Sequence, residues 1–80
     1  MNGNYWKVRT SYERKGADLV ALYGHARYFK TASEAEYRCR ELNEAKGQSP
    51  ELIGTYFFEE RFIRGGVYED EEAQIAIGSH

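Results

Sequence analysis

The side chains best suited to chemistry in this sequence are one thiol, Cys39, and two imidazoles, His25 and His80. A structural zinc site needs about four nitrogen or sulfur ligands, and these three residues do not supply such a set. A nucleophilic cysteine needs a neighbouring base and an exposed, electropositive setting. Cys39 instead falls on the apolar stripe of a predicted helix, so we expect a buried small hydrophobic residue. The sequence therefore predicts neither a metal site nor a catalytic cysteine.

The carboxylates do not form an evident catalytic pair. Glu59 and Glu60 are adjacent, and adjacent residues of a strand point to opposite faces of the sheet. The acidic run at residues 69–72 lacks the spaced oxygen ligands of a calcium loop, and it is predicted to be a solvated loop. The sequence also contains no glycine-rich phosphate loop and no Ser/His/Asp set. We therefore expect a protein that is not an enzyme and that has no cofactor.

Basic and aromatic side chains alternate along residues 4–12, which is the pattern of a half-buried strand. One face of this strand would carry Trp6, Val8, Thr10 and Tyr12, and the opposite face Tyr5, Lys7, Arg9 and Ser11. Basic groups interleaved with tyrosine on an exposed sheet can hold nucleic acid through phosphate contacts and stacking. An ordinary solvated face with cross-strand pairs has the same pattern. The candidate binding surface comprises Tyr5, Lys7, Arg9, Arg27 and Lys30.

The elements that must position this surface belong to one small domain, because 80 residues can bury only a small core. Residues 13–18 are polar and predict a loop. Residues 19–30 predict either two strands, 19–23 and 26–30, with a turn at Gly24, or one strand bent by a bulge there. We favour the turn.

A helix is predicted over residues 32–46. Thr31 and Glu34 have the spacing of a capping box, in which the threonine hydroxyl accepts from the backbone at Glu34. The helix offers two ion pairs at i,i+4 spacing, Glu34 with Arg38 and Glu36 with Arg40. Its narrow apolar stripe, which should pack close to the sheet, consists of Ala32, Ala35, Cys39 and Leu42.

Residues 51–64 carry signals for both helix and strand. Ser49 and Pro50 are typical of a helix start, whereas the aromatic-rich interior favours a strand, and we predict a strand over about 52–63. Residues 65–80 form an acidic C-terminal segment, in which 73–77 would be a short edge strand or a loose tail. The expected fold is α+β, with residues 1–64 forming an antiparallel three- to four-stranded sheet and one helix packed on one face.

Charge is distributed unevenly along the chain. Residues 1–40 carry a net charge of +4 and residues 41–80 a net charge of −6, so the second half disfavours bulk attraction to nucleic acid. A single cysteine allows no internal disulfide, which favours a reducing compartment. No apolar run approaches the length of a membrane span, and the first residues do not have the pattern of a signal peptide. We therefore expect a cytoplasmic protein without a membrane partner.

Part of the sequence resembles small proteins of phages and mobile elements. The similarity covers about residues 5–63 and lies in Phe29-Lys-Thr-Ala-Ser-Glu-Ala35, in Leu42-Asn43 and in Tyr56-Phe-Phe-Glu-Glu60. Residues 6–42 are also similar to the arm-type DNA-binding domain of phage integrases, which has a three-stranded sheet followed by a helix. The first resemblance implies an accessory protein that binds another protein, as an adaptor or inhibitor. The second implies a stand-alone DNA-binding module, with nucleic acid as a weaker partner.

Overall fold

A computed structural model of the chain describes residues 2–12, 27–48, 52 and 54–78. Four strands in these ranges form one antiparallel sheet with the order β2-β1-β3-β4, and two helices accompany it. The elements are β1 (Gly3–Thr10), β2 (Tyr28–Phe29), α1 (Ala32–Ala45), β3 (Tyr56–Arg64), β4 (Val67–Tyr68) and α2 (Glu71–Ile77). The α+β class expected from the sequence is confirmed, as is the helix near 32–46. The strand predicted over about 52–63 is confirmed from Tyr56 onward, and the described residues 52, 54 and 55 lie before it.

The two long strands form the centre of the sheet. β1 pairs with β3 along its whole length, from Gly3 opposite Ile63 to Thr10 opposite Tyr56. Because alternate residues of a strand point to the same face, Tyr5, Lys7 and Arg9 lie on one side of the sheet, together with the residues opposite them on β3.

Helix α1 covers the opposite face of the sheet, which carries Val8 and Tyr56. The Thr31 side chain accepts from the Glu34 backbone N–H at 3.3 Å and donates to the Glu34 carboxylate at 2.8 Å, so the box begins the helix as expected. The first core cluster joins this sheet face to the helix stripe and consists of Val8, Ala35, Cys39, Leu42, Leu52 and Tyr56.

Ion pairing along α1 differs from the sequence expectation. The Arg38 guanidinium pairs with Glu41 at 3.4 Å, and it also lies over the Phe29 ring. The Glu34 carboxylate accepts the Thr31 hydroxyl instead of the predicted i,i+4 bond, because the capping geometry holds it at the helix start.

The C-terminal segment corrects the sequence prediction. Residues 73–77 belong to helix α2, and the short edge strand lies earlier, at Val67–Tyr68. Helix α2 covers the sheet face opposite α1, where Ala73 completes a second core cluster with Tyr5, Tyr28 and Ile63. One helix therefore packs on each face of the sheet.

Several expectations fall outside the described residues. These are the loop at 13–18, the strand at 19–23, the turn or bulge at Gly24, the histidines His25 and His80, and the Ser49-Pro50 start signal. Of the predicted strand at 26–30, Tyr28 and Phe29 form β2.

The buried thiol of Cys39 makes a direct test of the α1 packing. Burial, followed by the nearby Glu36 charge, raises the pKa of Cys39 from 9.0 to about 11. We expect the native protein at pH 7–8 to react slowly with an alkylating thiol reagent and the denatured protein to react rapidly, because only the exposed thiolate is nucleophilic. Mass spectrometry of timed samples measures this, and rapid labelling of the native chain would contradict the packing of α1.

Candidate functional site

Tyr5 and Lys7 of the candidate surface lie on the sheet face that α2 covers. The Tyr5 side chain is 0% exposed, so the exposed aromatic contact expected from the sequence is not what the structure shows. Its ring packs against Tyr28 and Tyr68, at centroid distances of 6.2 and 5.5 Å. The physical reason is the second helix, which alternation within a strand cannot reveal.

Asp70, the N-cap residue of α2, is the centre of a polar cluster beneath that helix. Its carboxylate accepts the Tyr5 hydroxyl at 2.6 Å, the Lys7 ammonium at 3.0 Å and the Arg61 Nε at 3.0 Å. The Asp70 backbone N–H in turn donates to the Tyr5 hydroxyl oxygen at 2.9 Å. The side chain of Asp70 is only 13% exposed, so these bonds stabilise a charge that is largely removed from water. The cluster thereby attaches the start of α2 to β1 and β3.

The cluster contains three groups with shifted pKa values, Tyr5, Arg61 and Asp70. Burial lowers the pKa of Arg61, but the hydrogen bond to Asp70 and the charge of that carboxylate outweigh this effect and raise it. Burial raises the pKa of Asp70, but the hydrogen bonds from Tyr5, Lys7 and Arg61 outweigh that effect and bring the pKa below 3.8. Burial, followed by the hydrogen bond to Asp70, raises the pKa of Tyr5 from 10.0 to about 12. A neutral tyrosine and a charged aspartate are thus the stable forms at neutral pH, and a tyrosine with this pKa is poorly suited to act as a base.

These shifts predict how stability depends on pH. The contribution of Asp70 is present above pH 3.8 and is lost as the pH falls below that value through the folded pKa. The contribution of Tyr5 is present below pH 10.0 and is lost as the pH rises towards about 12, because the unfolded tyrosine ionises first. The Tyr5 contribution is on the order of 2–3 kcal/mol.

Urea unfolding of the protein and of Tyr5→Phe between pH 8 and 12 measures this contribution. The difference in unfolding free energy between the two proteins should shrink as the pH rises above 10.0. A difference that stays constant to pH 12 would contradict the assigned hydrogen bond.

The other predicted surface residues do not join the Asp70 cluster. Arg9 pairs with Glu59 across the β1–β3 ladder at 3.0 Å. Arg27 is half-buried at the start of β2, where its carbonyl accepts the Val8 backbone N–H, and Lys30 is exposed just after that strand. The structure therefore unites Tyr5 and Lys7 with two residues that the candidate surface did not include, Arg61 and Asp70.

An apolar surface lies at the end of the sheet that α1 does not reach. Gly65 and Gly66 both have positive φ values, 60° and 83°, which suits the tight hairpin turn between β3 and β4. On the α1 side of this hairpin, Phe62 is 39% and Val67 is 69% exposed. The Arg64 guanidinium lies 5.3 Å from the Phe62 ring centroid. We call Phe62, Arg64 and Val67 the hairpin patch.

In the described part of the chain, the backbone of α1 lies close to β1, β2 and β3 but does not approach β4, and the hairpin patch lies on the part of the sheet next to β4. Phe62 and Val67 are diagonal neighbours on one face of the sheet, close enough to form one contact surface. The sequence signal for this patch was the aromatic run of β3, but that run alone does not show which of its members stays exposed.

Side chains also form hydrogen bonds with backbone groups on the outer edge of β3, which is the edge that lies away from β1 and on which β4 pairs. The Asn43 amide pairs with both backbone groups of Tyr56, donating to its C=O at 3.1 Å and accepting its N–H at 2.8 Å. The Glu69 carboxylate accepts the Phe62 N–H at 2.7 Å, and the Glu69 N–H donates to the Phe62 C=O at 3.2 Å. The Leu42-Asn43 pair of the sequence thus has a structural role, because the Asn43 amide on α1 bonds the backbone of β3 as a neighbouring strand would.

Within the described ranges, no three His, Cys, Asp or Glu side chains come together in a group that could hold a metal ion. None of the described helices combines the length and apolar character needed to cross a membrane. Comparisons with protein-family models, with curated proteins and with solved structures find no match to this chain.

Proposed function

We propose that this chain is a non-enzymatic binding protein, of the phage or mobile-element accessory type, which acts in the cytoplasm as an adaptor or inhibitor by protein–protein recognition. The observation that carries the proposal is the hairpin patch. Phe62 and Val67 are exposed side by side, with the Arg64 guanidinium against the phenyl ring. Aromatic and arginine side chains dominate the energetics of protein interfaces.

The state of the basic residues supports a protein rather than a nucleic acid as the partner. Lys7 and Arg9, which the sequence suggests as phosphate contacts, are each held by a carboxylate, from Asp70 and Glu59 respectively. A cation that is already paired must give up that partner before it can neutralise a phosphate. The face that carries them is also covered in part by α2, whose first turn adds Glu71 and Glu72.

Binding by the hairpin patch can be tested with the tagged full chain. We expect the double variant Phe62→Ser/Val67→Ser to bind more weakly to a partner protein that the unaltered chain retains. Truncating an interface anchor commonly costs more than about 1 kcal/mol of binding free energy. The control is Ile75→Ser, which removes an apolar side chain from α2 that is 78% exposed, more than either Phe62 or Val67. Circular dichroism establishes that both variants fold.

The captured protein is then purified, and its affinity is measured directly by calorimetry at low and at physiological salt. A loss of at least tenfold for the double variant, with less than twofold for the control, supports the proposal. Equal affinity for both variants contradicts it. If the retained species is instead a nucleic acid whose binding falls steeply with salt, the DNA-binding alternative replaces the proposal.

A further inference from the structure

The outer edge of β3 contains a short stretch of backbone that nothing in the described chain pairs. Ser11 and Thr55 exchange hydrogen bonds across the end of the β1–β3 ladder, so the odd-numbered residues of β3 bond to β1. The even-numbered residues therefore point their N–H and C=O groups towards the outer edge. There the backbone N–H groups of Tyr56 and Phe62 donate to Asn43 and Glu69. Phe58 and Glu60 lie between these two residues.

Phe58 and Glu60 present two backbone donors and two acceptors on this edge. The ladder between β3 and β4 includes only Ile63 and Arg64 from β3, so it ends before it reaches them. Within the ranges that the structure describes, neither residue has a hydrogen bond other than the one between the Asn4 and Glu60 side chains. An open edge of this kind can bind another strand.

We propose that this edge binds an extended basic segment of a partner protein, which adds to the sheet as an antiparallel strand alongside β3. The proposal rests on the proposed function, because it names the class of partner segment that such a binding protein would recognise. The added strand follows the line that β4 would take if the chain did not turn into α2 after Glu69.

Charge complementarity identifies the occupant. The Glu60 side chain is exposed and accepts only the Asn4 amide, at 2.6 Å, so a cation can still reach its carboxylate. In an antiparallel strand, the residue opposite Glu60 comes two positions before the residue opposite Phe58. A lysine or arginine opposite Glu60, followed two residues later by an apolar residue opposite Phe58, therefore complements both side chains. The Cβ atoms of directly opposite residues lie within about 5.5 Å of each other.

A second copy of this chain fits the edge less well. Antiparallel pairing of β3 with its own copy would use the four open backbone groups only if the two-fold axis passed through Glu59. The two Glu59 carboxylates would then stand directly opposite each other, and like charges in that position are destabilising.

The open edge has a measurable consequence in the free protein. Amide hydrogen exchange followed by NMR should show fast exchange at Phe58 and Glu60 and slow exchange at Glu59 and Arg61, which bond to β1. Protection of Phe58 and Glu60 in the free chain would overturn the proposal. Protection that rises with protein concentration would overturn it in favour of a second copy.

The occupant is tested with the acetylated and amidated peptide Thr-Lys-Thr-Val-Thr, titrated against the isotopically labelled chain. Slowed exchange at Phe58 and Glu60 and at least threefold tighter binding than Thr-Glu-Thr-Val-Thr are expected. N-methylation of the lysine or the valine should weaken binding at least tenfold, because those N–H groups face β3. N-methylation of the central threonine is the matched control and should change binding less than twofold, since its N–H points away. The variant Glu60→Lys should reverse the preference between the two peptides.

These outcomes separate this proposal from the proposed function. If no peptide binds while a purified partner still depends on Phe62 and Val67, strand addition is overturned and the proposed function stands. If the peptides bind with the expected preferences and no protein depends on the hairpin patch, strand addition stands and the patch is not the interface.

Discussion

Asp70→Ala is expected to lower the free energy of unfolding by about 2–4 kcal/mol, because it leaves charged partners without their acceptor in a partly buried site. Lys7, Arg61 and Tyr5 all donate to this one carboxylate. A domain of this length has a stability of only about 4–12 kcal/mol, so the loss is a large fraction of the total.

The matched control is Glu71→Ala, which removes an equal charge from an exposed position one residue later. Its effect should stay within about 1 kcal/mol, the range of an exposed acid in the first turn of a helix. Urea unfolding followed by tyrosine and tryptophan fluorescence measures both variants. Similar values for the two would show that Asp70 is an ordinary surface acid and does not anchor α2.

Gly54→Ala is expected to destabilise the protein by about 3 kcal/mol or more, through backbone strain and close contact together. Gly54 has a φ of 83°, and an added Cβ would lie 2.8 Å from the Tyr12 backbone nitrogen. The same Cβ would meet the Thr10 hydroxyl oxygen, so the end of β1 would have to move. The Gly54 carbonyl also accepts the Lys46 ammonium at 2.7 Å, which links the displaced segment to the end of α1.

Gly66→Ala separates the two causes. Gly66 has the same φ of 83°, but nothing lies within 4 Å of its added Cβ, so only the strain of about 1–2 kcal/mol should remain. Thermal and urea unfolding of both variants give the comparison. A loss for Gly66→Ala as large as that for Gly54→Ala would show that close contact with β1 contributes nothing.

Local signals account for the parts of the fold that the sequence predicted well. The Thr31–Glu34 box and the stripe through Cys39 act within α1 itself, so they identify the helix without knowledge of its surroundings. The aromatic run from Tyr56 similarly favours a strand on its own account.

Helix α2 was missed although Asp70, the acidic first turn and Gly78 are start and stop signals of a helix, because so short a segment is not stable as a helix on its own. It has seven residues, its N-cap Asp70 makes no side-chain capping bond, and Ile75 and Ile77 are β-branched. What stabilises it is tertiary: Ala73 packs into the cluster with Tyr5 and Tyr28, and Asp70 binds β1 and β3. Such contacts depend on a strand register that the sequence does not reveal.

The burial of Tyr5 could not be predicted for the same reason. Alternation predicted that Tyr5, Lys7 and Arg9 share a face, and they do. It could not predict whether a helix covers that face, because the covering residues come more than sixty positions later. The exposure of Phe62 and Val67 also depends on tertiary structure, since the backbone of α1 does not come close to β4 in the described part of the chain.

The central position of β1 has a consequence for how the chain folds. The strand is made early, yet its long partner lies far along the chain, and the side-chain bond between Asn4 and Glu60 spans 56 residues. Of the described strands, β1 has only the two-residue β2 beside it until β3 has been synthesised, and so short a ladder is marginal at best in water. Closing so long a loop is entropically unfavourable, which slows folding and extends the time for which the apolar face of β1 is unprotected. The apolar face of β1 is therefore open to aggregation until β3 pairs with it.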